Sequence, residues 1–185
     1  MKKYIFFPDE IYFLTYRTTE FKPYLKDNRQ KDIVLRRIIG CEQRYNKGHF
    51  AYSIQDNHLH LLSLVEDPKQ FSIDLQQIIG GSAFQVNKSL NRNGALWGRH
   101  FALPVHGTHN ISMVLAYILG NPIRHGNIKT ITELYDYPYC NYKNFCDMNS
   151  KEAMEALVLG KLKSKAPIEN EELFWETVLA GSPHS

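Results

Sequence analysis

The sequence predicts an α+β domain with the ferredoxin-like order βαββαβ, an antiparallel sheet carrying two helices on one face, followed by an additional helix and a helical C-terminal extension. Three observations predict it. Segments with alternating apolar residues, the pattern of strands, are interleaved with segments whose apolar residues recur every three to four positions, the pattern of helices. The two middle strand segments meet at Asp56-Asn57, a pair suited to a tight turn, so they should pair antiparallel. A chain of 185 residues is long enough to bury a real core and short enough to have one. In this plan one face of the sheet is left available, and the third helix lies against that face or an edge.

The elements follow in order. Ile11 to Thr18, "IYFLTYRT", is aromatic and β-branched and gives way to the polar "TTEFKPYLKDN", so it reads as a first strand and a loop. From Asn28 to Tyr45, Ile33, Val34, Ile38, Cys41 and Tyr45 recur at helical spacing, with Arg29, Lys31, Arg36, Arg37 and Arg44 between them, giving an amphipathic helix with a basic outer face. Lys47-Gly48 stops it, and "HFAYSIQ" and "HLHLLSLVE" form the central hairpin. Pro68 opens a second helix over Ser72 to Leu90, with Gly80-Gly81 as an interruption or a close-approach site. Leu96 to Val105 reads as the fourth strand. A helix capped by Thr108 or Asn110 then runs to about Leu119 and ends at Gly120-Asn121-Pro122. Beyond Gly126, "ELYDYPYCNYKNF" reads as an irregular extension over the core. Met148 to Leu162 and Glu169 to Leu179 read as two short helices separated by the flexible "KSKAP". The chain divides into a core of residues 1–146 and a helical extension of residues 147–185.

Composition excludes several classes. No apolar run approaches the roughly 20 residues of a membrane span, and the apolar stretch at Tyr4 to Phe7 is too short for a signal-peptide core. Three cysteines, Cys41, Cys140 and Cys146, lack a CxxC spacing and indicate neither a disulfide framework nor a zinc knuckle. A soluble, cytoplasmic protein is expected. Residues 1–146 carry 18 basic and 12 acidic side chains, a net +6, whereas residues 147–185 carry 4 and 7, a net −3. A basic body is compatible with a polyanionic partner and equally with ordinary surface solvation.

Two pairs of residues carry chemistry. His58 and His60 are two apart in a strand, so both imidazoles leave one face while Leu59 and Leu61 point into the core. Such a pair can ligate one cation, or it can be two hydrogen-bonded histidines on a half-exposed strand. Tyr117 and Asn121 are four apart at the end of the third helix and share a face. Asn121 offers a carbonyl oxygen able to complete a His/His/Asn site, and Tyr117 a phenol able to act as a nucleophile. The alternative is a packing aromatic and a helix-ending residue before Pro122.

Taken together, "AYSIQDNHLHLL", in which Asn57 and a strand precede the two histidines, and "YILGNPIRHG", Tyr117 to Gly126, give the chain a pattern that resembles the single-tyrosine HUH transposases, and among them the REP-associated tyrosine transposases. The likeness extends through "LWGRHF" and "DYPYCNY" and covers about residues 8 to 145, with Cys140 and Asn141 departing from the small polar residues common there. The resemblance implies a ferredoxin-like catalytic domain that cuts and rejoins single-stranded DNA, often next to a hairpin. It implies that Tyr117 attacks a backbone phosphorus and becomes joined to the 5′ phosphate, and that His58, His60 and Asn121 hold a divalent metal, Mg²⁺ or Mn²⁺. Imidazole pairs favour Mn²⁺ or Zn²⁺ over Mg²⁺. Relatives act as monomers or homodimers.

For such a partner, single-stranded or hairpin DNA, the candidate contacts are Arg17, Arg29, Arg36, Arg37, Lys88, Arg92, Arg99 and Arg124, with Trp97, Phe101 and Tyr52 as base-stacking surfaces. Arg99 and Arg124 stand next to the segments above and lead the set. His100, His106, His109 and His125 also fall there without an assigned role. Two other functions stay open at this point: a non-catalytic module that binds hairpin nucleic acid, and a metal-dependent hydrolase that uses the histidine pair to activate water.

Overall fold

The computed structural model describes residues 4–45, 50–162 and 171–180. Its centre is a four-stranded antiparallel sheet in the order β2-β3-β1-β4, formed by β1 (Glu10–Thr18), β2 (Phe50–Ile54), β3 (His58–Val65) and β4 (Trp97–Pro104). Helix α1 (Asn28–Tyr45) joins β1 to β2 and α2 (Pro68–Ser89) joins β3 to β4, which is the predicted ferredoxin-like order. Five further helices follow: α3 (Thr108–Arg124), α4 (Ile131–Leu134), α5 (Tyr142–Met148), α6 (Lys151–Leu162) and α7 (Glu171–Ala180). Among the described residues no helix is long and apolar enough to cross a membrane.

The two-residue period of the strands sorts the core into two layers. Tyr12, Leu14 and Tyr16 of β1 and Leu59, Leu61 and Val65 of β3 face α1 and α2, where they meet Ile33, Val34, Ile38, Leu75, Ile78 and Val86. Phe13, Leu62 and Phe101 point the other way, against Val114, Tyr117 and Ile118 of α3 and Trp175 of α7. The face left available by the two crossover helices is therefore covered by α3, one of the two placements expected for it, and also by α7. The reason is its own composition: an apolar row of Phe13, Leu62 and Phe101 must be removed from water as much as the first layer must.

Two helix boundaries differ from those expected. Helix α2 starts at Pro68, where Asp67 accepts hydrogen bonds from the backbone N–H groups of Lys69 (2.9 Å) and Gln70 (3.2 Å) and the proline occupies a first-turn position that needs no donor. It runs unbroken through Gly80-Gly81. Gly81 is a close-approach site, since a Cβ there would lie 2.9 Å from Cζ of Arg37 on α1. Helix α3 does not stop at Leu119 but continues through Gly120-Asn121-Pro122 to Arg124. Pro122 removes one backbone hydrogen bond near the helix end, and the burial of every residue from Ala116 to Pro122 outweighs that loss. Gly120 lets α6 approach, with Val158 Cγ1 3.3 Å from where its Cβ would be.

The tyrosine-rich segment is attached to the outer edge of β2, as an irregular extension. Ile54 N donates to Tyr139 O (2.8 Å), Ser53 forms an isolated bridge with Cys140, and Tyr52 N donates to Asn141 Oδ1 (2.8 Å). These bonds cap an edge that would otherwise be open for pairing. Contrary to expectation, the segment is not irregular throughout: α4 ends in it at Leu134 and α5 begins in it at Tyr142. The helix stop expected at Lys47-Gly48 and the flexible stretch expected over Lys163 to Pro167 lie outside the described residues.

Candidate active site

His58 opens β3 opposite Arg17 of β1, and His60 sits between Thr15 of β1 and Ser53 of β2. Both rings emerge on the α3 face, 4.7 Å apart between centroids, while Leu59 and Leu61 are buried on the other face. His60 is fully buried, and its Nδ1 lies 2.8 Å from Thr15 Oγ1. Burial, with help from the charges of His125 and Arg17, pushes its pKa well below the ordinary imidazole value, so the ring stays neutral, the form that ligates metals.

Helix α3 brings Tyr117 and Asn121 to the same place. Asn121 Nδ2 donates to the Tyr117 carbonyl (3.2 Å), which turns Oδ1 toward His58 Nε2 at 3.3 Å. At the opposite side of the His58 ring, Nδ1 lies 2.7 Å from Asn57 Oδ1. An amide oxygen only accepts, so Nδ1 carries a proton there. A neutral His58 then presents the lone pair of Nε2 to the lone pairs of Asn121 Oδ1, an arrangement that calls for a proton or a cation between them. Two imidazoles and a carboxamide thus fit a divalent metal, and their softness fits Mn²⁺ better than Mg²⁺. Among the described residues no group of three or more His, Cys, Asp or Glu side chains is placed to hold a metal, and Asn121 Oδ1, 3.3 Å from His58 Nε2, offers an oxygen donor beside the pair.

Tyr117 is surrounded by rings. Its centroid is 5.4 Å from His60, 6.2 Å from Phe13 and 5.1 Å from Trp175, and the Arg124 guanidinium carbon lies over its face at 5.5 Å. Tyr117 is only 5% exposed and Trp175 is fully buried. A second cation completes the surroundings: Lys161 Nζ lies 5.3 Å from the Trp175 ring centroid, and its pKa is lowered by burial and by Arg124.

The other candidates divide. Arg17 stands beside His58 and Arg124 over Tyr117, so both belong to this centre. Arg99 is exposed on β4, which β1 separates from β3. Arg29, Arg36 and Lys88 line a cleft of about 390 Å³ between α1 and α2, on the opposite side of the sheet from Tyr117. Arg37 is half-buried against Gly81 in the crossing of these helices. Arg92 packs over Tyr24 at 4.1 Å and bonds to Asn87 Oδ1 and Ala95 O, so it fastens the turn after α2. Phe101 and Tyr52 are buried at 3% and 6% exposure and offer no stacking surface, contrary to expectation; in strands covered on both faces their rings serve the core. Trp97 packs on the α1 and α2 side, its Nε1 donating to Ile79 O and Ser82 Oγ.

Several residues at the centre were not legible as such. Asn57 reads as a turn residue and as the Asn ahead of the histidines in the resemblance, without a role at the site; Thr15 reads as one of many strand residues, and Trp175 belongs to a helix whose docking no local pattern signals. Of the four unassigned histidines, His125 joins the site, 4.7 Å from the His58 ring. His100 instead stacks on Tyr16, and His106 pairs with Glu10 at 3.2 Å.

No protein-family model matches the chain, and no curated protein matches it. Among solved structures it is similar to a REP-associated tyrosine transposase bound to a REP hairpin, with 19% sequence identity and a TM-score of 0.56 over 78% of this chain and 84% of that one. A protein assigned as a transposase in Deinococcus radiodurans R1 aligns with 64% of this chain and 95% of its own, at 19% identity and a TM-score of 0.41. The chain thus has the α+β fold of the REP-associated tyrosine transposase structure, with a four-stranded antiparallel sheet and seven described α-helices.

Proposed function

We propose that this chain is a transposase-like, metal-dependent enzyme that nicks and rejoins single-stranded DNA near hairpins through a phosphotyrosine intermediate. The observation that carries the reading is the convergence of Tyr117 and Asn121, one turn apart on α3, with His58 and His60 on β3. The likeness in fold to a hairpin-bound transposase supports the choice of hairpin DNA as partner.

In this reading Tyr117 Oη attacks a backbone phosphorus, the bond from phosphorus to the 3′ oxygen breaks, and the chain is held through its new 5′ phosphate. The phenol loses one proton and the leaving 3′ oxygen gains one, so the step is balanced, and its reversal with another 3′ hydroxyl rejoins the strand. Arg124, over the ring of Tyr117, favours the phenolate and the crowded phosphate charge. His58, His60 and Asn121 would hold a divalent cation, Mn²⁺ or Mg²⁺, which polarises the scissile phosphate when bound. Asn57 and Thr15 orient the two imidazoles. Because Tyr117 is covered by Trp175, DNA reaches it only when α7 withdraws.

That burial is also the one observation favouring a second reading, a module that binds hairpin DNA without cutting it. The two are separated by incubating the protein with hairpin DNA bearing single-stranded arms and Mn²⁺. The transferase yields a covalent adduct that Tyr117→Phe abolishes while hairpin binding persists. A hydrolase would release free ends and tolerate Tyr117→Phe, and a binding module would give no product with either protein.

A further inference from the structure

We infer that Phe21, backed by Arg17, is a stacking platform for one nucleobase of the single strand that leads to His58. The inference rests on the strand-transfer reading above and adds a binding position to it.

The chain leaves β1 through the short turn Thr19–Phe21, in which Glu20 and Phe21 both have φ of 55°. Left-handed backbone is costly for a residue with a bulky side chain, and two in succession persist only where the surroundings fix them. Here they are fixed on both sides. Thr18 N donates to Asn57 O (2.9 Å), and Thr18 Oγ1 lies 2.6 Å from Lys22 O and 3.1 Å from Asn57 O. Thr19 N donates to Leu96 O (2.9 Å) and Thr19 Oγ1 to Ala95 O (3.0 Å). Gly98 permits this docking, since a Cβ there would be 3.1 Å from Thr19 Cα.

The strained turn buries nothing. It holds the Phe21 ring 52% exposed, with the Arg17 guanidinium carbon 5.4 Å from its centroid. Single exposed phenylalanines are ordinary on protein surfaces, but they are not ordinarily held out by consecutive left-handed residues. The turn is also wired to the candidate active site. Asn57 Nδ2 donates to Phe21 O (3.2 Å), and the same side chain holds His58 through Oδ1. Arg17 lies opposite His58 in the sheet register. Lys22 is paired with Glu20 at 2.6 Å, and the Arg17 guanidinium lies over the ring. A rigid exposed aromatic next to a guanidinium, one side chain away from the phosphate-binding centre, is the arrangement that stacks a base and draws its phosphate. Stacking on a ring face is tolerant of base identity, so the platform positions the strand without reading its sequence.

The test uses a hairpin oligonucleotide whose single-stranded arms carry 2-aminopurine at successive positions. Fluorescence should be quenched at one position in the wild-type protein. Phe21→Asn, which tolerates the left-handed backbone, should abolish that quenching and weaken binding about 5- to 150-fold. Phe21→Tyr should keep both. In adduct formation Phe21→Asn should raise KM with kcat within about twofold of wild type. Adduct formation by wild type, with Phe21→Asn quenching and binding unchanged, would overturn the platform and leave the strand-transfer reading intact. Phe21-dependent quenching without any wild-type adduct would uphold the platform and remove the strand-transfer reading.

Discussion

The two faces of the sheet are buried alike and built differently. Toward α1 and α2 the central strands send Leu14, Leu59, Leu61 and Val65, and the layer closes as an apolar core. Toward α3, beside the apolar Phe13, Leu62 and Phe101, strands β1, β2 and β3 send Thr15, Ser53, His58 and His60, and α3 adds Asn121, all buried. Burying polar groups costs free energy unless each is bonded, so a face selected for cohesion alone would repeat the first. The second is instead held by specific polar contacts, with Thr15 at His60, Asn57 at His58 and Tyr117 O at Asn121, while His58 Nε2 and Asn121 Oδ1 face each other at 3.3 Å. The contrast separates a face that holds the fold from one whose polar groups are organised around two imidazoles.

Substitutions on each face sharpen that contrast. His58→Ala should reduce metal-stimulated adduct formation by about 100-fold or more, and it should weaken Mn²⁺ binding in calorimetry, since even residues behind a metal ligand typically cost 10- to 100-fold. Leu61→Ala, on the other face, should cost about 2–5 kcal/mol in urea unfolding and leave Mn²⁺ affinity of the folded protein unchanged. If the two profiles were interchangeable, the division of labour between the faces would be wrong. Trp175→Ala should raise the adduct rate about 10- to 150-fold, the equilibrium equivalent of the ~1.5–3 kcal/mol that docking one large apolar side chain contributes. A rate unchanged or lowered would mean that α7 supports Tyr117 rather than covering it.

The smallest effect concerns the first face and pH. Burial raises the Glu42 carboxyl to about 7, so the folded state binds a proton that the unfolded state has already released. Stability then falls as pH rises from the ordinary carboxylate range through about 7. Glu42→Gln should melt higher than wild type at about pH 8 and converge with it at about pH 4, as followed by circular dichroism. Equal melting temperatures at both pH values would remove Glu42 as a source of this slope.

The sheet and the helices α1 to α3 were legible because each is announced locally, whereas the short helices α4 and α5 were not. Alternation placed β1, β3 and β4, the Asp56-Asn57 turn paired the hairpin, and helical spacing gave α1 and α3. The one-turn relation of Tyr117 and Asn121 and the shared face of His58 and His60 were legible for the same reason. Residues that act through tertiary contact were not. Thr15 meets His60 only through the β1–β3 register, and Trp175 reaches Tyr117 from 58 positions along the chain. Phe101 and Tyr52 read as surface aromatics because alternation gives a strand's two faces but not what covers them. Pro122 read as a stop because a proline's local cost is visible in sequence and the burial that offsets it is not.

Presentation of a phosphate to Tyr117 is the role proposed for the polar face. It is tested most directly by intact-protein mass spectrometry after incubation with Mn²⁺ and single-stranded hairpin DNA from the flanks of the gene. A mass increase equal to the 5′-phosphorylated cleavage product less one water, mapped by peptide analysis to Tyr117 and lost in Tyr117→Phe, is the predicted result. Cleavage with no mass increase, or an adduct that survives Tyr117→Phe, would contradict it.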